Sequence, residues 1–148
     1  MSTLHMAERA QQFSPTTIVL RSLVVGLTLV TATIHAQLGG LLFMANAIGY
    51  TTFALAMVAP GPIGQVRWLV RVGLIGFTAA TIGGWLLFGA RFPLAYVDKA
   101  VEVVLIAVVA VELWRSDGGP VGVVRQARGL VARLAGRLTG TQAARAPR

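Results

Sequence analysis

The sequence predicts an all-α membrane protein: a four-transmembrane-helix bundle, N-in/C-in, plus a C-terminal basic amphipathic interfacial helix. Hydrophobic residues make up 55% of the 148-residue chain and charged residues only 12%. Together with a mean hydropathy of +0.73, this is the composition of a membrane protein. Four apolar runs each approach the ~20 residues that a helix needs to cross ~30 Å of hydrocarbon. The arginines around these runs are unevenly distributed, which predicts an orientation.

Short breaks rich in glycine and proline separate the four apolar runs. The runs cover about residues 16–38, 41–59, 68–88 and 93–114. The first begins after Ser14-Pro15, where Ser can cap the helix and Pro can occupy its first position. We therefore divide the chain into a cytoplasmic N-terminal segment (1–15), a transmembrane domain (16–115) and a cytoplasmic basic tail (116–148).

The basic residues indicate which side of the membrane each loop faces. Those near span ends on one side are Arg9, Arg21, Arg67, Arg71 and Arg115. The first connection has no basic residue, and the third has only Arg91. The positive-inside rule then places both termini in the cytoplasm. We expect a multi-pass protein of a bacterial plasma (inner) membrane.

The tail is predicted to form an amphipathic helix over about residues 121–138. Its apolar positions share one side, and the opposite side carries Arg125, Arg128, Arg133 and Arg137. Such a helix suits the anionic inner leaflet, and docking on a partner subunit is the alternative. Nucleic-acid binding is disfavoured because aromatic residues for base stacking are absent from the tail. Residues 140–148 are expected to be disordered.

Several polar residues lie inside the predicted spans, where a charge costs roughly 2.5–3.5 kcal/mol on insertion scales. Those predicted at comparable depth, in the outer half of the bundle, are His35, Asn46, Tyr50, Asp98, Lys99 and Glu102. They could converge on one polar pocket that binds a proton, a cation or a small polar solute. Alternatively, they only form hydrogen bonds between helices. Arg21, at the opposite end, is expected to reach the lipid headgroups.

Cofactor binding is not expected. The chain has no cysteine, which excludes disulfides and thiolate metal sites. His35 and Met44 face each other across the Gly39-Gly40 turn as a possible metal or haem pair, but the predicted spans contain only one histidine.

Small residues predict close helix packing, within the bundle or between protomers. They recur at four-residue spacing as Gly76, Ala80 and Gly84 in the third run and as Ala45 and Gly49 in the second.

Two stretches, IHAQLGGLLFMANAIGY (residues 34–50) and DKAVEVVLIAVVAVEL (residues 98–113), resemble small four-helix membrane proteins of actinobacteria and other high-GC bacteria. The similarity covers the membrane part and not the tail. It implies a four-span bundle in the plasma membrane, with His35, Asn46 and Glu102 as recurring polar positions. It implies no reaction.

The sequence contains no constellation of catalytic residues, so we do not expect an enzyme. The first hypothesis is an accessory or scaffold subunit that acts by helix packing and by docking its tail on the inner leaflet or on a partner. The second is a minimal, dimeric, proton- or cation-coupled transporter that uses the polar pocket, and the third is a haem or metal redox carrier. The expected partners are anionic lipids and either a second copy or a larger membrane complex.

Overall fold

A computed structural model of the chain describes residues 15–143. Within this range the chain forms six helices joined by short turns, and it has no strand. We number them α1 to α6: Pro15–Leu38, Leu41–Val58, Pro62–Gln65, Arg67–Phe88, Pro93–Asp117 and Gly119–Ala143. The four long helices before the tail begin and end close to the predicted runs. The predicted Ser14 cap lies outside the described residues.

The connections between helices are short because glycine and proline stop each helix sharply. Gly39 and Gly40 both have positive φ, 68° and 82°, and reverse the chain between α1 and α2 within two residues. Pro62 and Pro93 occupy the first turns of α3 and α5, where a missing N–H costs nothing. The short helix α3 lies in the segment that the sequence predicted to be a plain loop.

The four long helices α1, α2, α4 and α5 form an up-and-down bundle. In the order α1–α2–α4–α5, each helix packs against its neighbours, and α5 closes the ring against α1. Buried residues recur at spacings of three and four along each helix, which places them on one inward face. On α5 this stripe contains Asp98, Glu102, Leu105, Val109 and Glu112.

The core of the bundle is apolar in the middle and polar at both ends. The apolar layer is formed by Val24, Ala32, Tyr50, Met57, Leu74, Leu105 and Val109. We call the end where α1 joins α2 and α4 leads to α5 the turn end. The opposite end, where α5 leads to the tail helix α6, is the tail end.

Three helices, α1, α2 and α4, are long and apolar enough to cross a membrane. The outward faces of the bundle carry large apolar side chains such as Leu23, Ile48, Leu55 and Leu86. These faces suit contact with lipid rather than water. Helix α5 is as long as a span, at 25 residues, but carries buried charged residues within it.

The tail helix α6 turns sharply away from α5. Gly118 adopts the left-handed conformation with φ of 76°, and Gly119 follows with φ of 66°. A Cβ at Gly122 would lie only 1.6 Å from the carbonyl oxygen of Asp117, so no larger residue fits there. Helix α6 is longer than predicted and extends through residues 140–143, which were expected to be disordered. Residues 144–148, also expected to be disordered, lie outside the described residues.

Candidate functional site

At the turn end, five of the six residues predicted to share a polar pocket come together. His35 extends from α1, Tyr50 from α2, and Asp98, Lys99 and Glu102 from α5. Thr31 of α1 and Thr81 of α4 complete this group, which we call the turn-end cluster. The side chains of His35, Asp98 and Glu102 are at most 2% exposed. All four long helices therefore contribute to one buried polar site.

The Lys99 ammonium group joins the two carboxylates of the cluster. Its Nζ lies 2.6 Å from Glu102 Oε2 and 2.9 Å from Asp98 Oδ2. The Lys99 side chain is 11% exposed, more than its two partners. One ammonium group thus shields one oxygen of each carboxylate.

The other oxygens of the two carboxylates accept hydrogen bonds from hydroxyl groups. Thr31 donates to Asp98 Oδ1 at 2.6 Å, and Tyr50 donates to Glu102 Oε1 at 2.7 Å. The Thr81 hydroxyl lies 2.9 Å from the same Glu102 oxygen. All four carboxylate oxygens therefore have a partner, as buried carboxylates require.

His35 lies between the two carboxylates in a defined tautomer. Its Nδ1 lies 2.9 Å from the backbone carbonyl of Thr31, which can only accept, so Nδ1 carries the proton of the neutral ring. Nδ1 is also 3.5 Å from Asp98 Oδ1, and Nε2 is 3.9 Å from Glu102 Oε1. A second proton on the ring would bind at Nε2, next to a carboxylate.

The cluster also contains the ligand types of a metal site. One ligand atom each from His35, Asp98 and Glu102 lie within 4.8 Å of one another. Imidazole and carboxylate ligands suit Zn²⁺ and related ions. However, Lys99 already holds one oxygen of each carboxylate. A metal ion would compete directly with the ammonium group.

Two residues from the sequence predictions lie apart from the turn-end cluster. Asn46 is half-buried, and its side chain forms no hydrogen bond to any residue that the structure describes. Met44 is 45% exposed, and the α2 rings beside His35 are those of Tyr50 and Phe43, with centroids 5.4 Å and 6.0 Å from the imidazole. The His35–Met44 ligand pair stays a prediction.

A second polar group, which sequence reasoning missed, lies at the tail end. Arg71 of α4 donates to Glu112 Oε1 at 2.7 Å and to Asp117 Oδ2 at 2.8 Å. Arg21 Nε is 3.5 Å from the same Glu112 oxygen, so the Arg21 side chain points toward Glu112; its expected contact with headgroups stays a prediction. With Arg67, these residues form the tail-end cluster. Burial of Arg71 and Glu112, at 3% and 0% exposed, sets it apart from a surface ion pair.

The small residues predicted to allow close helix packing differ in their exposure. A Cβ at Gly49 would lie 2.5 Å from Phe77 Cζ, so this glycine allows α2 and α4 to approach closely. By contrast, Gly76, Ala80 and Gly84 are exposed on the outer face of α4, as is Ala45 on α2. In the tail helix α6, all four arginines of the predicted polar side are exposed: Arg125, Arg128, Arg133 and Arg137.

The fold and the sites together define a helical protein with three membrane-length apolar helices and a buried ionic cluster at each end of its bundle. Comparison of the chain with protein-family models, curated proteins and solved structures finds no match. The resemblance to small four-span bacterial proteins therefore stays a prediction, and function is argued from the geometry.

Proposed function

We propose that this protein is a proton-coupled membrane carrier that binds one proton in the turn-end cluster. The observation that carries the proposal is the charge of that cluster. Its two buried carboxylates are opposed by one ammonium group, which leaves a net charge of −1 when His35 is neutral. Uncompensated charge inside a bundle is strongly unfavourable. One further positive charge therefore belongs to the stable state of the site.

A proton suits this charge deficit better than a larger cation. His35 Nδ1 already donates to Thr31, while Nε2 is available for protonation next to Glu102. Protonation there makes the cluster neutral and forms an imidazolium–carboxylate pair. Loss of this proton restores the charge, so binding and release switch the site between two electrostatic states.

Transport further requires that α5 crosses the membrane as a fourth span. Its 25 residues are long enough, and its Asp98, Glu102 and Glu112 face other helices of the bundle. Charges inside membrane proteins are tolerated when they face the bundle interior and pair there. The positive-inside rule supports cytoplasmic termini, with the turn end on the outer side. Lys99 is the most exposed of the three charged residues in the cluster. Protons would therefore enter the site from the side of Lys99.

Proton flux into proteoliposomes, read with an internal pH-sensitive dye, tests this function. Glu102→Gln leaves one carboxylate and one ammonium group, so the cluster is neutral without an added proton, and flux should fall to the level of protein-free vesicles. Asp98→Asn should have the same effect through the other carboxylate. Thr33→Val is the matched control, because that exposed hydroxyl bonds only to the carbonyl of Leu29.

Two measurements keep the interpretation clear. Thermal denaturation of each variant shows whether it is folded, and sodium in place of a pH gradient shows whether the site takes a metal cation instead. Equal flux for the wild type and both folded carboxylate variants would refute the proposal. Sodium-dependent flux that both variants abolish would replace the proton by a cation.

A second role, as a subunit of a larger complex, is favoured by the outer face of α4. A Cβ added at Gly76 or Gly84 would meet no atom within 4 Å, so this small-residue ridge is open to another helix. Native mass spectrometry of protein extracted from its own membrane tests this. A stoichiometric second polypeptide that Gly76→Leu releases supports a subunit role, whereas a monomer contradicts it.

A further inference from the structure

The tail end contains a cavity of about 580 Å³ that the proposed proton site does not involve. Cavities of ~300–1,000 Å³ are typical of small-molecule sites. The wall of the cavity is formed by helices α1, α3, α4, α5 and α6. The charged residues of the wall are Arg21, Arg67, Arg71, Arg115 and Asp117.

The charge around this cavity is strongly positive. Four arginines line it, opposed by Asp117 in the wall and by Glu112 behind Arg71, which leaves a net charge of +2. Arg71 already holds both of these carboxylates. Arg67 donates only to the backbone carbonyl of Ala59; its guanidinium group is partly buried and is repelled by Arg21 and Arg71, while Glu112 and Asp117 attract it. The site therefore lacks negative charge.

Unsatisfied donors also indicate a missing ligand. The Nε groups of Arg67 and Arg71 are buried and have no hydrogen-bond partner, and Arg21 Nε has only a long contact of 3.5 Å to Glu112 Oε1. Arg71 itself is only 3% exposed, and a buried donor without an acceptor is unfavourable. Glu112 Oε2 is also without a partner, but Glu112 is not part of the cavity wall. An anion with several oxygens would supply acceptors where the donors are concentrated.

The helix directions add to this preference. Helices α1 and α4 both begin at the cavity, so the positive ends of two helix dipoles lie beside it, against one negative end from the last turn of α5. Planar guanidinium groups match the oxygens of a phosphate group in a two-bond geometry. We propose that the tail-end cavity binds a phosphate group, carried either by a free phosphate ion or by the headgroup of an anionic lipid.

Binding is tested with the full chain in nanodiscs of phosphatidylcholine, to which inorganic phosphate is added. The thermal midpoint should rise with phosphate but not with equal ionic strength of chloride, since a ligand that binds the folded state stabilises it. Arg67→Gln and Arg115→Gln should each weaken binding about tenfold, the effect of one charged hydrogen bond. Arg91→Gln is the matched control, because Arg91 stacks on Trp85 at the turn end.

Nanodiscs that contain phosphatidylglycerol distinguish the two sources. The site binds a lipid headgroup if this lipid stabilises the protein, Arg67→Gln removes the stabilisation, and inorganic phosphate cannot replace it. The double variant R125Q/R128Q separates this from attraction to the tail, because both arginines are on the exposed face of α6. It should keep the stabilisation.

Three outcomes would overturn the proposal. Equal stabilisation by chloride and phosphate would mean that salt only screens the arginines. No response to either phosphate or phosphatidylglycerol in folded wild-type protein would mean that water alone fills the cavity. If only the Glu8→Gln variant bound phosphate, the Glu8 carboxylate would be the native occupant of the cavity. Glu8 belongs to the N-terminal segment outside the described residues. Arg115→Gln, an exposed position, keeps the test valid if Arg67→Gln does not fold.

Discussion

The two ends of the bundle handle buried charge in opposite ways, although one helix supplies acidic groups to both. Glu102 and Glu112 are each fully buried and lie about 15 Å apart along α5. Around Glu102, every carboxylate oxygen has a partner, and the cluster has one negative charge too many. Around Glu112, the arginines outnumber the acids, a cavity is open, and the Nε donors of Arg67 and Arg71 lack acceptors.

The difference separates what each end can bind. The closed turn-end cluster needs only one positive charge and has a nitrogen, His35 Nε2, at which a proton fits. The open tail-end cluster needs negative charge and has volume for a group of several atoms. Net charge and free space, more than the residue types involved, therefore decide between a proton and an anion.

Arg71→Met should have the largest effect on stability. It leaves Glu112 and Asp117 without their shared partner, and breaking a buried ion pair costs about 3–5 kcal/mol. The free energy of unfolding in mixed micelles measures this. The double variant R71M/E112M should recover part of the loss, because the fully buried carboxylate is gone and only Asp117, 10% exposed, still lacks Arg71. A loss for Arg71→Met no larger than for the exposed Arg125→Gln would contradict the buried pairing.

Lys99→Met should destabilise the turn end by about 3 kcal/mol, the lower end of the range for buried pairs, because Lys99 is partly exposed. Two carboxylates then remain without the ammonium group that held one oxygen of each. The free energy of unfolding in mixed micelles measures the loss.

A matched double variant isolates the charge effect of Lys99. K99M/E102Q returns the cluster to the native net charge of −1 and should be more stable than Lys99→Met alone. A loss unchanged by the second substitution would mean that Lys99 acts by packing only.

Tyr50→Phe should have the smallest of the three effects. It removes one hydrogen bond to a charged, buried acceptor, which is worth about 1.5 kcal/mol. Thr52→Val is the control: its hydroxyl bonds only to the carbonyl of Ile48 on the exposed face of the same helix, so the change should stay within ~0.5 kcal/mol. Equal effects of the two variants would show that Tyr50 OH does not hold Glu102.

The turn end was largely predictable from sequence because its residues break a simple rule. A charge such as Asp98 or Glu102 inside an apolar run has to face inward. The spacing from Thr31 to His35 places both on one helix face. Asn46 shows the limit of this reasoning, since similar depth does not guarantee the same face. Thr81 was missed because threonine is common in apolar helices and gives no signal of its own.

The tail end was missed because its arginines were interpreted only as markers of orientation. A signal was present: Arg71, Leu74 and Thr78 recur at spacings of three and four, as do Leu105, Val109 and Glu112. Charges on a buried stripe predict a pair across the bundle. The cavity beside that pair depends on where α6 turns after Gly118, which no periodicity encodes.

The two-residue turn at Gly39-Gly40 also bears on how the protein is made. It makes α1 and α2 a hairpin that leaves the ribosome well before α5. With α5 as a span, its charges enter the bilayer next to a hairpin that already presents Thr31, His35 and Tyr50, because synthesis runs from the N-terminus. If the α4–α5 hairpin were made first, Asp98 and Glu102 would meet lipid before the hydroxyl groups that donate to them existed. Exchanging the order of the hairpins in the gene should therefore impair membrane insertion even though it preserves every contact of the finished protein.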